Sequence, residues 1–306
     1  MISVVIPLYD KAMQVKDTLD SVRRQQFGAY EVVIVDDGST DGSPDKVNEY
    51  LNDHEEFSRR VRFLRQSHAG VSAARNKGIE ASQYDWIAFL DADDVWAQDY
   101  LSTQYTLSMK YPFCEVLAAA YGFRISPGNF IPARFSKLRF RGMDGILDNY
   151  FEVAACSHPP LSSIMTIVRK EAILAVGGFP EGVSSGEDLL TWARLATRYR
   201  IAFNKKCMGT YDREPSHSNE DQRKRMPDAG DAVGNDLVTL LHKHPDIRGI
   251  KEYVGAWYKM RTRIYLSHSM RKEAWAEWKK LARFSPVHYK TWAYLMMLIS
   301  PIKILS

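Results

Sequence analysis

Aspartates cluster at two places where an apolar run of the chain stops. Trp86 to Leu90 leads directly into Asp91-Ala92-Asp93-Asp94, and Glu31 to Val35 ends in Asp36-Asp37-Gly38-Ser39. Carboxylates two residues apart on an extended backbone point to the same side. Asp91 and Asp93 could therefore hold one hard divalent cation, Mn2+ or Mg2+, which in turn bridges the oxygens of a diphosphate. The plainer reading is a solvated acidic loop with Asp93 or Asp94 capping a helix before Val95. Asp36-Asp37 could grip a ribose hydroxyl, as an acid at the end of a second strand does in dinucleotide folds. Asp-Asp-Gly-Ser-Thr-Asp-Gly is also good turn chemistry, and the two roles are compatible. A third acidic pair, Glu187-Asp188, opens a helical stretch, where carboxylates complement the helix macrodipole.

The elements that must position these residues follow from periodicity. Residues 3–7, 31–35, 61–64 and 86–90 read as short buried strands, and 13–26, a segment around Val47 to Leu51, and 71–82 read as the helices between them. Such alternation predicts right-handed crossovers and a mostly parallel sheet covered on both faces. Ligands of these sheets bind beyond the strands' carboxyl ends, where both acidic clusters fall. A dinucleotide site would also need Gly-x-Gly-x-x-Gly after the first strand, and the chain instead gives Pro7-Leu8-Tyr9-Asp10-Lys11. From 115 to 170 the pattern loosens into short strands (116–120, 164–168) and Gly-, Pro- and Ser-containing loops. Helical periodicity returns at 187–198 and dominates after Asp228, where Ile264, Leu266, Trp275, Trp278 and Leu281 suggest a helical hairpin. No internal repeat is found.

An apolar content of 45% and a charged content of 25% over 306 residues are those of a folded globular chain. Cys114, Cys156 and Cys207 lie too far apart for a CxxC zinc site and are odd in number for a disulfide framework, which points to a reducing cytoplasmic location. No signal peptide and no membrane-spanning run of apolar residues is expected. Charge is uneven. From residue 241 onward there are 13 Lys/Arg against 4 Asp/Glu, and four of the seven Trp (Trp257, Trp275, Trp278, Trp292) fall there.

The segments Val5-Ile6-Pro7-Leu8-Tyr9, Val35-Asp36-Asp37-Gly38-Ser39-Thr40-Asp41, Ala73-Ala74-Arg75-Asn76-Lys77-Gly78, Leu90-Asp91-Ala92-Asp93-Asp94, Gly177-Gly178-Phe179 and Gly186-Glu187-Asp188 (with Trp192 and Arg194) occur in order. Together, over residues 1–214, they resemble the family 2 glycosyltransferases of the bacterial surface-polysaccharide type, inverting enzymes of the GT-A fold. The resemblance implies a Rossmann-like α/β catalytic domain over 1–225, with a nucleotide-binding half to about 115 and an acceptor half over 116–225. A basic, Trp-rich helical extension would occupy 226–306. It implies that Pro7 and Tyr9 pack around the donor's base and ribose and that Asp37, with Asp36 beside it, binds the uracil or ribose. Arg75 would lie beside the diphosphate, although a solvated helix residue is the plain alternative. Asp91 and Asp93 would be the DxD pair that binds ribose and metal, with Asp94 as an alternative ligand, and Asp188 would be the general base.

Single displacement needs this division of labour. A carboxylate takes the proton of the attacking hydroxyl, and a metal on the far side of the sugar stabilises the departing diphosphate. Gly177 and Gly178 could let the backbone approach the sugar closely, while Phe179 reads equally as core. The sequence departs from the family at Tyr211-Asp212-Arg213-Glu214-Pro215-Ser216-His217, where Glu214 replaces an expected His. His217 or Arg213 could serve the diphosphate instead.

The expected partners are a nucleotide-sugar donor, a UDP-sugar, and a saccharide or lipid-linked acceptor. The basic aromatic tail either packs against the catalytic domain or docks on the inner face of the cytoplasmic membrane. Nucleic acid is disfavoured by the acidic catalytic part. The rival readings are a sugar-phosphate nucleotidyltransferase, whose glycine-rich triphosphate loop is absent, and a non-catalytic nucleotide-sugar binding module.

Overall fold

The computed structural model describes residues 1–213 and 226–300. The first stretch alternates strand and helix: β1 (Ile2–Leu8), α1 (Val15–Arg23), β2 (Tyr30–Asp36), α2 (Ser43–Asp53), one-turn α3 (Glu55–Ser58), β3 (Val61–Arg65), α4 (Val71–Ala81) and β4 (Trp86–Phe89). The chain continues through β5 (Val95–Trp96), α5 (Tyr100–Lys110), β6 (Val116–Ser126), β7 (Asn129–Pro132), β8 (Asp144–Ile146), α6 (Tyr150–Cys156), β9 (Thr166–Arg169), α7 (Lys170–Ala175), α8 (Glu187–Ala196) and β10 (Ile201–Asp212). Within 226–300 the helices are α9 (Ala232–Lys243), α10 (Ile250–Ser267), α11 (Arg271–Phe284) and α12 (Tyr289–Ile299).

All the strands join one sheet, in the order β3-β2-β1-β4-β9-β6-β10-β5, with β7 beside β6 and β8 beside β10. Every residue of β1 and β2 is buried, as a continuous apolar run covered on both faces requires. β1 lies between β2 and β4 and is parallel to both, with Leu8 opposite Asp36 and Val5 opposite Phe89. The strand order therefore reverses direction at β1, and a crevice opens where β1, β2 and β4 end. The expected strand at 164–168 is β9, shifted to 166–169, and it runs antiparallel to both β4 and β6. The parallel character is thus confined to β3-β2-β1-β4 and to the β6/β10 pair. β6 is longer than expected because its second half pairs with both β7 and β10.

Residues alternate between the two faces of the sheet. Val4, Ile6 and Leu8 pack with Val15 and Leu19 of α1 and Leu101 of α5. Val5, Ile87 and Phe89 pack on the other face with Leu190 and Trp192 of α8. That second core also takes in Val233, Ile250, Tyr253, Val254, Trp257, Leu281 and Phe284, so the C-terminal helices bury their apolar side chains against the α/β part. Arg261 of α10, fully buried, ties these helices together by ion pairs to Glu277 (3.0 Å) and Asp231 (3.4 Å). Among the described residues no helix is long and apolar enough to cross a membrane.

Candidate active site

Three loops converge at the crevice. The loop after β1 is fastened to the loop after β2: the Asp10 N–H donates to Ser39 Oγ (3.1 Å), Lys11 N–H to Ser43 Oγ (2.7 Å) and Ala12 N–H to Asp41 Oδ2 (2.9 Å). Asp36 is fully buried. Its carboxylate accepts the Ser39 N–H (3.1 Å) and pairs with Arg65 (2.9 Å). Asp37 accepts the backbone N–H groups of Ala69 (2.9 Å) and Gly70 (2.8 Å) and the Gln66 amide (2.8 Å), and His68 lies 3.0 Å away. Three N–H donors thus occupy this carboxylate, and the His68 ring nitrogen also lies 3.2 Å from the Asp37 carbonyl oxygen. Asp37 therefore folds the 66–70 loop over the crevice. The same loop lays His68 on the half-exposed ring of Tyr9, centroids 4.2 Å apart. Pro7 is buried inside β1, one residue short of its end.

The Asp-x-Asp segment is not extended. It forms a turn closed by the Asp94 N–H donating to Asp91 O (3.1 Å), so a turn brings Asp91 and Asp93 into one field. No helix follows at Val95; β5 does, pairing with β10, which removes the capping role expected for Asp93 or Asp94. Asp94 is buried, accepts the Asp212 N–H on Oδ1 (2.8 Å), and fastens the turn to the end of β10. Burial, with the charges of Asp93 and Asp91 added, holds its carboxyl well above the usual range. Asp93 is also raised by burial, against the opposing charge of Lys11, whose ammonium pairs with it directly.

Arg75 joins the two halves of the site. A Cβ on Gly78 would lie 2.3 Å from Val5 Cγ1, so α4 lies hard against β1 and carries Arg75 to the crevice. Arg75 is 3% exposed, which excludes the solvated role. Its Nη2 donates to Asp91 Oδ1 (2.8 Å), its Nη1 to Glu187 Oε1 (3.2 Å), and its guanidinium lies 5.1 Å from the Phe179 ring centroid. Burial alone would lower its pKa; the charges of Asp91 and Glu187 prevail and raise it. The other oxygen of Asp91 accepts the Ser163 hydroxyl (2.8 Å), which lies 3.2 Å from Tyr211 OH.

Asp188 follows Glu187 in the first turn of α8, after Gly186 in the left-handed region (φ 81°). Its carboxyl is pushed up to about 7, by burial first and the neighbouring charge of Glu187 second, with Arg75 opposing. Asp91 also contributes to this field, although it is nearly a hundred residues distant in sequence. Asn76, next to Arg75, clasps the other side of the cleft. Its amide donates to Phe179 O (2.9 Å) and to Glu181 Oε1 (2.9 Å), and it accepts the Phe179 N–H (2.8 Å). Gly178 is required by this clasp: φ is 65°, and a Cβ would meet Asn76 Oδ1 at 2.6 Å. Gly177 is likewise left-handed (φ 85°), and a Cβ there would meet nothing within 4 Å. Phe179 is core. Arg213 lies over the ring of Phe123 at 4.2 Å, and Glu214 and His217 fall outside the described residues.

Lys11, Ser163, Tyr211 and the structural role of Asn76 were not singled out by sequence. Asn76 alone left a signal there, since asparagine inside a helix competes for backbone hydrogen bonds and is unfavourable without a reason.

The donor set fits a divalent ion. Among the described residues no three His, Cys, Asp or Glu side chains converge as a ready-made metal cage. An ion that arrives with a diphosphate needs only one or two carboxylates, with phosphate oxygens and water completing its shell. Asp91 and Asp93 are hard oxygen donors whose mutual repulsion is answered here by Arg75 and Lys11.

A crevice at the switch of a Rossmann-like sheet, ringed by carboxylates from the ends of β2 and β4 and from the start of α8, defines an α/β protein with its candidate site at the strands' carboxyl ends. The family model for "Glycosyl transferase family 2" matches residues 3–165, and the chain belongs to that family. Glycosyltransferase GlyA of Streptococcus pneumoniae is 34% identical over 129 residues, 42% of this chain, and the match spans 18% of the length of GlyA. The fold is that of S. aureus TarS 1–349 in complex with UDP-GlcNAc (TM-score 0.71, 16% identity, 96% of this chain and 84% of that one). It is shared with the mannosyltransferase PcManGT of Pyrobaculum calidifontis in complex with GDP-Man and Mn2+ (TM-score 0.62, 18% identity, 97% and 81%).

Proposed function

We propose that the protein is an inverting glycosyltransferase that moves a sugar from a nucleoside-diphosphate donor, a UDP-sugar, to a hydroxyl of a saccharide or lipid-linked acceptor. The observation that carries this reading is the Arg75 bridge between Asp91 and Glu187, which sets the Asp91/Asp93 turn and Asp188 on one crevice. The relatives' complexes with UDP-GlcNAc and with GDP-Man and Mn2+ support a nucleotide sugar and a divalent ion as the ligands.

In this reading Tyr9 and His68 offer a stacked aromatic platform to the base. Asp91 and Asp93 would hold the divalent ion, which when bound neutralises charge on the leaving diphosphate. Lys11, beside Asp93, supplies a fixed positive charge at the same place. Asp188 takes the proton of the acceptor hydroxyl as it attacks. A carboxyl held near neutrality is suited to that task, and a bare binding module has no use for one. Arg75 keeps the two acidic groups apart in role by pairing with Asp91 and Glu187, and among the described residues no cation pairs with Asp188 at hydrogen-bond distance.

A UDP-sugar panel with and without chelator tests the reading. UDP release should need the ion, and Asp93→Ala should lose ion-dependent UDP affinity; ion-independent turnover would contradict it.

We also propose that α12 touches an anionic membrane surface. Thr291, Tyr294 and Leu298 are buried, while Tyr289, Trp292, Met296 and Ile299 recur at helical spacing and are exposed. This apolar stripe lies in the basic stretch of the chain. Trp292→Ala together with Met296→Ala should abolish flotation with anionic liposomes; equal flotation would remove this contact.

A further inference from the structure

The first turn of α8, which carries Asp188, has no side-chain cap of its own and starts from a left-handed glycine. Besides the Arg75–Glu187 pair from α4, its anchors come from residues 228–257. The Tyr253 hydroxyl, on α10, donates to Leu189 O at 2.9 Å, and the Leu189 N–H donates to Asp188 Oδ1 at 2.7 Å. Trp257, one turn further along α10, covers Gly186 so closely that a Cβ there would lie 2.4 Å from the indole ring. The indole is itself fixed by its N–H, which donates to Asp231 Oδ1 at 2.9 Å. Asp228 accepts both the N–H (2.9 Å) and the hydroxyl (2.6 Å) of Ser184. Residues 184–189 are therefore held from the C-terminal helices and the segment leading into them.

We propose that Tyr253 and Trp257 are positioning residues for Asp188, so that the C-terminal helices form part of the catalytic apparatus rather than an appendage to it. This rests on the reading of Asp188 as the base. A first turn without its own cap frays easily, and one that frays lets water reach a carboxyl whose protonation depends chiefly on burial. The groups facing that carboxyl are Glu187 on its own helix, Arg75 from α4 and Asp91 after β4. The phenols of Tyr121 from β6, Tyr150 from α6 and Tyr253 itself are close enough to feel its charge.

The test compares wild type, Tyr253→Phe, Trp257→Phe and Asp188→Asn as full chains. Amide hydrogen exchange of the 183–191 segment is measured together with the pH profile of UDP release from UDP-GlcNAc. Loss of one positioning hydrogen bond should slow kcat by about ten-fold, with the donor KM unchanged. In Tyr253→Phe the 183–191 amides should exchange faster while those of α5 do not, and the rise of activity with pH should begin at lower pH. Trp257→Phe should shift both readouts in the same direction. Wild-type exchange and an unmoved profile in both variants, with Asp188→Asn inactive, would overturn the positioning role alone. Full turnover in Asp188→Asn would overturn the base assignment and the positioning role with it.

Discussion

Replacing Arg75 with methionine removes the one cation among the described residues that pairs with both Asp91 and Glu187. The side chain is 3% exposed, and its partners lie at 2.8 and 3.2 Å. Methionine keeps most of the volume, so the cost comes from carboxylates stranded in a buried place. Breaking such a pair costs about 3–5 kcal/mol, a large share of a typical stability of about 5–15 kcal/mol. At about 2 °C per kcal/mol for a chain of this size, Tm should fall by about 6–10 °C. The deficit should depend on pH. Protonating the stranded carboxylates removes their charge, so the loss should be largest near pH 8 and smaller near pH 5. Arg75→Lys keeps the charge but not the two-pronged fork and should fall between. Thermal unfolding followed by circular dichroism at the two pH values reads this directly. A wild-type Tm at pH 8, or a deficit of equal size at both pH values, would refute the bridging role.

Asp188 has its own linkage. Its carboxyl is raised to about 7 in the folded chain, so the native state binds the extra proton between the ordinary carboxylate range and pH 7. Stability contributed by that proton is present at low pH and lost as pH rises through about 7. Asp188→Asn should accordingly raise Tm near pH 8 and raise it less near pH 5, where only part of that stability has been lost; a gain of the same size at both would contradict the shift. Gly178→Ala forces a Cβ into a left-handed backbone position and onto the Asn76 amide. It should cost about 1–3 kcal/mol in urea unfolding, and an unchanged midpoint would show that the clasp is looser than described.

The elements that could be read in the sequence are those with local causes. β1, β2 and β4 are apolar runs, the last two ended by aspartates, and a parallel sheet then places those ends on one edge by geometry alone. What the sequence did not disclose has long-range causes. The direction of β9 is set by its neighbours β4 and β6, not by its own residues. The Asp91–Asp94 turn is fastened in place by the Asp212 N–H, 118 residues from Asp94. The site shows the same division. Asp91, Asp93, Arg75 and Asp188 have spacing and type that suggest chemistry, whereas Lys11, Ser163 and Tyr253 acquire a role only through what the fold puts beside them. Asp37 was recognisable as important, but its four partners in the 66–70 loop were not.

The central claim is that one cleft holds a diphosphate-side acidic pair and, apart from it, a carboxyl that takes a proton. The most direct measurement is Asp188→Asn against wild type, assayed for UDP release with the best donor of a UDP-sugar panel and for UDP affinity in Mn2+. Wild-type turnover should rise with pH around about 7. The variant should lose at least about 100-fold in kcat while binding UDP as tightly as wild type. Turnover within a few-fold of wild type, or a loss fully explained by weakened UDP binding, would contradict the account.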